Sequence, residues 1–395
     1  MKILSIETSC DETAVAILKI TKQKEYFFKI LSNIVASQIK IHQKYGGVYP
    51  TLAKREHERN LAPVLRQSLL EAKLLKSKVK SQKSKIQIKS QKLKTLKEIL
   101  QRHQNLYKSL KRFLSKYQKS TIDLIAVTVG PGLEPCLWTG VNFAKALSFW
   151  WNLPIVPVNH IEAHILVNFI EQNQIKVKTQ KLFPAVCLVV SGGHTQLILM
   201  RNFGKYEIVG ETRDDAAGEC FDKTARILGL PYPGGPAIEK QALQWKSETQ
   251  RSKFKIKLPR PMIYSKDYDF SFSGLKTAVL YRVKNQKSKV KSQKFISQMA
   301  YEIQAAINDV LVKKTIKAVK DFRAKSIILG GGVAANSDLR KRFENFSEAL
   351  KINFLVPPKK YCTDNAVMIA VAAFFHKKDK MSWQKIKANA NLRIS

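Results

Sequence analysis

ILSIETSCDETAVAIL, residues Ile3 to Leu18, reads as two short apolar strands joined by the polar turn Glu7-Thr8-Ser9-Cys10-Asp11-Glu12-Thr13. Aliphatic runs on either side of a short polar connection predict an antiparallel hairpin. The same plan returns in AVCLVVSGGHTQLILM, Ala185 to Met200, with Ser191-Gly192-Gly193-His194-Thr195 as its turn. Each hairpin is followed by a buried strand that runs into glycines and then a helix: Leu124 to Val129 into Gly130-Pro131-Gly132, and Ser326 to Leu329 into Gly330-Gly331-Gly332. Hairpin, then strand-glycine-helix, twice in one order, predicts a duplicated α/β architecture with two lobes and an interlobe cleft. Backbone N–H groups of glycine turns and helix N-termini hold anions, so the expected cleft suits a nucleotide. Any one such turn alone reads equally well as a tight connection; the argument rests on four in register.

Composition bounds the rest. The chain has 395 residues, 45% of them apolar, which suffices for two medium cores. With 69 basic against 30 acidic residues its formal charge is +39, an excess that attracts polyanions such as nucleic acid. A lysine-biased proteome gives the same excess, so charge alone decides nothing. Cys10, Cys136, Cys187, Cys220 and Cys362 form no CxxC pair, which argues against a zinc ribbon or a disulfide framework and for a reducing compartment. The N-terminus lacks the layout of a secretion signal, and no apolar stretch approaches the ~18 residues a membrane span needs. The expectation is a cytoplasmic protein with no membrane partner.

Further along, residues 56 to 75 have helical apolar spacing through Leu61, Val64, Leu65, Leu69 and Leu70. Asn159 to Ile170 reads as a second helix, and Asn365 to Phe375, rich in Ala, Val and Ile, as a buried one. The segment 73–119 differs: it holds 14 Lys and 2 Arg against one acid, Glu98. The heptapeptide Ser-Lys-Val-Lys-Ser-Gln-Lys occurs identically at 77–83 and 288–294, and both copies read as loop inserts. From Leu93 to Tyr117 the apolar spacing predicts one basic amphipathic helix. Its basic side is either a surface facing nucleic acid or an ordinary solvated face.

Candidate chemistry is concentrated in four places. His160 and His164 stand four apart in Asn159-His160-Ile161-Glu162-Ala163-His164, so on a helix both imidazoles project from one face and can grip one metal. Zinc peptidase helices have Glu directly after the first His; here that position is Ile161, which disfavours a peptidase. Such a pair needs a third ligand. Asp364, in Tyr361-Cys362-Thr363-Asp364-Asn365, is the best candidate, although an Asp before a helix is also an ordinary N-cap. Asp11 and Glu12 in the first turn can offer a proton acceptor, or be solvated turn acids. Asp214, Asp215, Glu219 and Asp222 cluster in a further acidic stretch, where acids also complement helix dipoles.

These strings together resemble the tRNA threonylcarbamoyladenosine transferases, of the actin, Hsp70 and sugar-kinase superfamily. The resemblance is carried by Ile6 to Thr13, Gly46-Gly47-Val48-Tyr49-Pro50 with Arg55-Glu56-His57, Gly130-Pro131-Gly132-Leu133, and Asn159 to His164. It continues in Ser191 to Thr195, Asp215 to Lys223, Tyr232-Pro233-Gly234-Gly235-Pro236, Phe270 to Lys276, Gly330 to Asn336, and Thr363-Asp364-Asn365. It covers all but the two lysine-rich segments.

The resemblance implies a two-lobed actin-like ATPase fold, a duplicated ribonuclease-H-like unit. Lobe I would be 1–158 with the insert 73–119, completed by 365–395, and lobe II 159–364 with the insert 284–294. It implies transfer of a threonylcarbamoyl group from threonylcarbamoyl-AMP to N6 of the adenosine 3′ of the anticodon, in tRNAs reading codons that begin with A. By the same resemblance His160, His164 and Asp364 bind one divalent iron or zinc ion. Val189, Val190, Ser191, Gly192, Gly193, Asp222, Gly235, Glu239 and Asn336 line the adenylate site, and Asp11, with Glu12 beside it, is the catalytic carboxylate. Implied partners are tRNA and, in a bacterium, an inert paralogue of the same fold and a small P-loop ATPase. The sequence departs from the family at Val129, where Arg is usual, and at Glu134-Pro135-Cys136-Leu137-Trp138. A small-molecule kinase or ATPase of the same superfamily would need the cleft but not the three metal ligands; the inert paralogue would be expected to lose them.

Overall fold

A computed structural model describes residues 1–22, 26–78, 86–171, 174–175, 182–248, 256–285 and 292–395. The chain divides into two compact units: Met1–Gln38, Val48–Val177 and Asp364–Arg393 in the first, and Ile39–Gly47, Lys178–Thr363 and Ile394–Ser395 in the second.

The first unit is built on a seven-stranded sheet. Its strands are β1 (Lys2–Glu7), β2 (Glu12–Lys22), β3 (Tyr26–Ser37), β4 (Leu124–Gly130), β5 (Ile155–Asn159), β6 (Ile170–Glu171) and β7 (Gln174–Ile175), in the order β5-β4-β1-β2-β3-β7-β6. The first hairpin forms as its pattern predicts, with β1 antiparallel to β2 from Lys2↔Lys19 to Glu7↔Ala14. β1 is also parallel to β4, and β4 to β5. A central strand covered on both faces carries a continuous apolar run, which explains the burial of Ile3 through Ile6.

The second unit has a five-stranded sheet of β8 (Ala185–Val190), β9 (Thr195–Asn202), β10 (Lys205–Glu211), β11 (Ser326–Gly330) and β12 (Asn353–Leu355), in the order β10-β9-β8-β11-β12. Read from β3 to β5, the first sheet has the same order. An antiparallel hairpin is extended by a third antiparallel strand on one side and by two parallel strands on the other. The duplication read from the two hairpins is thus present strand for strand.

Helices follow their apolar stripes, with instructive differences at their ends. The helix expected over 56–75 spans Pro50–Glu71, with Pro in its first turn. It stops where Lys73 adopts a left-handed conformation (φ 57°). The single amphipathic helix expected from Leu93 to Tyr117 is two helices, Ile86–Ile99 and Gln104–Lys116. The break is occupied by His103, which is buried. Its Nδ1 donates to Glu58 Oε1 at 2.9 Å, and Nε2 accepts from Asn142 Nδ2 at 3.3 Å. Leu96 and Leu100 before the break, and Leu106, Leu110, Phe113 and Leu114 after it, all enter the core of the first unit. Lys94, Lys97, Arg102, Lys108, Lys111, Arg112 and Lys116 stay exposed. Most of the repeated heptapeptide, at 79–83 and 288–291, lies outside the described residues.

The contact boundary falls after Val177, not at Asn159, and Asp364 opens the last part of the first unit. The cause is local: Asn159 is both the last residue of β5 and the cap of the following helix His160–Leu166, all seven residues of which are buried.

Candidate metal centre and glycine-lined strand end

The histidine pair is positioned by that helix. Asn159 Oδ1 accepts from Ile161 N at 2.9 Å and Glu162 N at 3.2 Å, starting the helix directly after the strand. Asn168 then turns its amide back onto the carbonyls of His164 and Ile165, each at 3.1 Å, where the helix gives way to a 3₁₀ turn, short of the expected Ile170. The third residue arrives from the far end of the chain. Asn365, not Asp364, caps the buried helix Ala366–Phe375 through Met368 N at 3.2 Å. The carbonyl of Ala366 accepts from Ser5 Oγ in β1 at 2.6 Å. The capping role weighed for Asp364 is thereby taken by its neighbour.

His160, His164 and Asp364 come together with one donor atom each, all within 4.8 Å of one another. His164 Nε2 lies 3.2 Å and His160 Nε2 3.5 Å from the same oxygen, Asp364 Oδ1. Behind His160, Nδ1 is 3.2 Å from Glu7 Oε2 and 3.2 Å from Ser9 Oγ. Burial by itself would raise the Asp364 carboxyl, but the charge of His160 and the hydrogen bonds of both imidazoles hold it well below the usual carboxylate range. Burial would likewise discharge His160, yet Asp364 and Glu7 push its imidazole well up. For His164 burial prevails and its imidazole goes down. Two imidazole nitrogens and one carboxylate oxygen facing a common point are the donor set of three-ligand zinc and non-haem iron sites. His164 Nδ1, buried without a hydrogen-bond partner, fits an imidazole held by its other nitrogen.

Asp11 and Glu12 stand at the hairpin tip in the same unit. The tip is braced by His57, a residue quoted for its motif but given no role: Nε2 donates to the Cys10 carbonyl at 2.9 Å and Nδ1 accepts from Thr13 Oγ1 at 2.8 Å. Burial, then the charges of Asp11 and Asp364, then a hydrogen bond to Asp11 raise the Glu12 carboxyl well above its ordinary value. Glu12 is thereby disposed to keep its proton beside the Asp11 side chain.

In the second unit Val189 and Val190 are the buried last residues of β8, and Ser191-Gly192-Gly193 is the turn after it. Two glycines allow close backbone approach here. A Cβ at Gly218 would sit 2.4 Å from the Ser191 carbonyl oxygen, and one at Gly331 (φ 85°) 2.3 Å from that of Val190. By contrast, nothing lies within 4 Å of where a Cβ would be at Gly192, Gly193, Gly235 or Gly332. The remaining predicted residues have structural duties. Asp222 Oδ1 accepts from Gly234 N at 2.6 Å at the start of the helix Gly234–Glu248. Glu239 Oε1 accepts from Ser337 N at 2.8 Å at the start of Ser337–Leu350. Asn336 is most committed: its Oδ1 caps that helix through Leu339 N at 2.9 Å and accepts from Asn308, while Nδ2 donates to Gln304 Oε1 at 2.8 Å. In the acidic stretch, Asp214 accepts from Ser271, Ser273 and the Phe272 amide, and Asp215 pairs with Lys223 at 2.7 Å.

Two α/β units of one strand order, one with a compact His-His-Asp cluster and the other with an open glycine-lined strand end, define the actin-like class of group-transfer proteins. The family model described as "TsaD: tRNA N6-adenosine threonylcarbamoyltransferase" matches residues 29–81 and 98–371. A Syntrophomonas wolfei protein of that name is 43% identical over 376 residues, covering 95% of this chain and 92% of its own length. One from Thermosipho africanus is 42% identical over 396 residues, all of both chains, and one from Bacillus subtilis 41% over 374, covering 94% and 89%. The chain belongs to the tRNA N6-adenosine threonylcarbamoyltransferase family. Among solved structures, full-length HypF in its phosphate- and nucleotide-bound form aligns with a TM-score of 0.46 and 14% identity over 70% of this chain and 42% of that one. Between its two matched segments the family model skips 82–97, a narrower segment than the 73–119 expected to be extra. The core positions from Leu100 to Leu114 fall inside the matched residues. Among the described residues no helix is long and apolar enough to cross a membrane.

Proposed function

We propose that this chain, working in the cytoplasm, transfers the threonylcarbamoyl group of threonylcarbamoyl-AMP to N6 of the adenosine 3′ of the anticodon, in tRNAs that read codons beginning with A. A C–N bond forms at the acyl carbon, the bond from that carbon to the phosphate oxygen breaks, AMP leaves, and the N6 proton goes to a base. The observation that carries the reading is the full-length match to transferases of this name. The cluster His160, His164 and Asp364 supports its dependence on a metal.

His160, His164 and Asp364 would hold one divalent ion, iron or zinc, which when bound supplies a positive charge to polarise the adenylate and stabilise the departing phosphate. Asp11 accepts the N6 proton, a contribution typically of about 10²- to 10⁴-fold. Glu12, kept protonated beside it, holds that carboxylate in place. N–H groups of the open Ser191-Gly192-Gly193 turn, with Gly235 on the helix Asp222 caps, take phosphate or oxyanion charge, each donor being worth about 3 kcal/mol in comparable sites. Partners are tRNA and, if the source is bacterial, an inert paralogue and a small P-loop ATPase.

The test is incubation of the purified protein with threonylcarbamoyl-AMP and unmodified tRNA, adding the two partner proteins where the source has them. Nucleosides are then read by mass spectrometry. Threonylcarbamoyladenosine formed by the wild-type chain and lost with Asp11→Asn is expected. Hydrolysis of ATP with no modified nucleoside would point to a kinase or ATPase instead.

A further inference from the structure

We propose that Glu7 is the positioning residue of the His160-His164-Asp364 centre, fixing the tautomer of His160 and tying that imidazole to the turn that carries Asp11. The inference rests on the metal reading above and adds a residue to it. Glu7 ends β1 and is fully buried, in a strand whose preceding four residues are also fully buried. A carboxylate in such a place is costly unless its oxygens find donors. Here both oxygens do. Oε1 accepts from Ser9 N at 2.5 Å, and Oε2 accepts from Thr128 Oγ1 at 2.5 Å and faces His160 Nδ1 at 3.2 Å.

An ionised carboxylate only accepts, so in the neutral imidazole that can hold a metal the hydrogen of His160 belongs on Nδ1 and the lone pair on Nε2. Nε2 is the nitrogen turned toward Asp364. A carboxylate behind a metal-binding imidazole fixes ring orientation and strengthens the donor. His164 has no such support, since its Nδ1 is buried without a partner. The two imidazoles are therefore unequal, His160 being oriented from behind and His164 held by the helix and Asp364 alone. Through Ser9 N the same carboxylate also fixes the start of the turn Ser9 to Asp11, so one group sets the register of a metal ligand and of the proposed base.

The test is chelator competition with zinc alone and cobalt alone on the full chain stripped of metal. Glu7→Gln keeps the shape but can present an amide N–H to Nδ1, which favours the wrong tautomer. Its zinc and cobalt dissociation constants are expected to rise about 10- to 100-fold, with far-UV circular dichroism unchanged. Glu162→Gln, on the same helix but bonded to His376, controls for general loosening and should stay within about twofold. A folded Glu7→Gln protein that binds both ions like wild type overturns the proposal. If Glu7→Gln does not fold, ¹⁵N-imidazole spectra of the zinc-loaded wild-type chain decide: a proton on His160 Nδ1 and zinc on Nε2 support it, and the reverse overturns it. Failure of the wild-type chain to bind either ion is a separate result that removes the metal reading and this inference with it.

Discussion

Gly218→Ala puts one methyl group where the glycine-lined strand end is tightest. Its Cβ would stand 2.4 Å from the Ser191 carbonyl oxygen, 2.7 Å from the carbonyl carbon and 2.8 Å from Gly192 N, all backbone atoms. Ordinary contact needs about 3.5 Å, so the turn must retreat by roughly 1 Å and the hydrogen bond from Gly218 N to Ser191 O, now 3.2 Å, must stretch. In stability the two effects largely offset. Alanine in a helix gains up to about 1 kcal/mol over glycine, and overpacking costs about 1–3 kcal/mol. The net loss is about 1 kcal/mol, a fall in Tm of roughly 2–4 °C. Activity is far more sensitive, because a misplacement of about 1 Å in a binding element costs on the order of 100-fold. The assay is differential scanning calorimetry beside kcat/KM for threonylcarbamoyl transfer. Gly192→Ala is the contrast: its Cβ meets nothing within 4 Å among the described residues, so Tm should hold while the methyl would intrude on the nucleotide proposed for the turn. Wild-type activity in Gly218→Ala refutes the packing argument. Wild-type activity and AMP affinity in Gly192→Ala refute the assignment of the turn to the adenylate.

Three further outcomes follow from particular contacts. His376 donates from Nε2 to Glu162 and from Nδ1 to Asp379, both at 2.8 Å. The Glu162 hydrogen bond, opposed by burial and helped by the Glu162 charge, raises its imidazole to about 9. Because the folded value lies above the unfolded one of about 6.5, the pair stabilises fully below pH 6.5 and is lost as pH rises through 9, roughly 2 kcal/mol after allowance for partial exposure. The Tm gap between wild type and His376→Gln should close over that interval. Leu110→Ala, in the basic helix Gln104–Lys116, should cost about 2–5 kcal/mol in urea unfolding, since Leu110 is fully buried; a loss under about 0.5 kcal/mol would mean the helix is a detachable appendage. Asp11→Asn should lower kcat about 10²- to 10⁴-fold while zinc affinity, measured by chelator competition, stays put.

The parts of this molecule that were legible in its sequence are those whose cause is local. Alternation around short turns announced both hairpins, and spacing of four put His160 and His164 on one helix face. Asn336, placed on the adenylate site by resemblance, stands directly before Ser337-Asp338-Leu339, and its side chain caps that helix through Leu339 N and bonds Asn308 and Gln304. What periodicity could not reveal are buried polar groups whose partners lie far along the chain. The apolar spacing runs unbroken through His103, and only Glu58 and Asn142, 45 and 39 residues away, explain the helix break. Glu7 is the extreme case. The turn motif contains it without giving it a role, and its burial is intelligible only once Thr128, 121 residues on, and His160, 153 residues on, are brought against it. Asp364, which the sequence offered both as third ligand and as an ordinary N-cap, shows the same rule from the other side, since its neighbour Asn365 takes the capping role. A buried charge is therefore the residue type for which local reading is weakest and spatial reading most informative, because its presence in a core demands that every donor around it be accounted for.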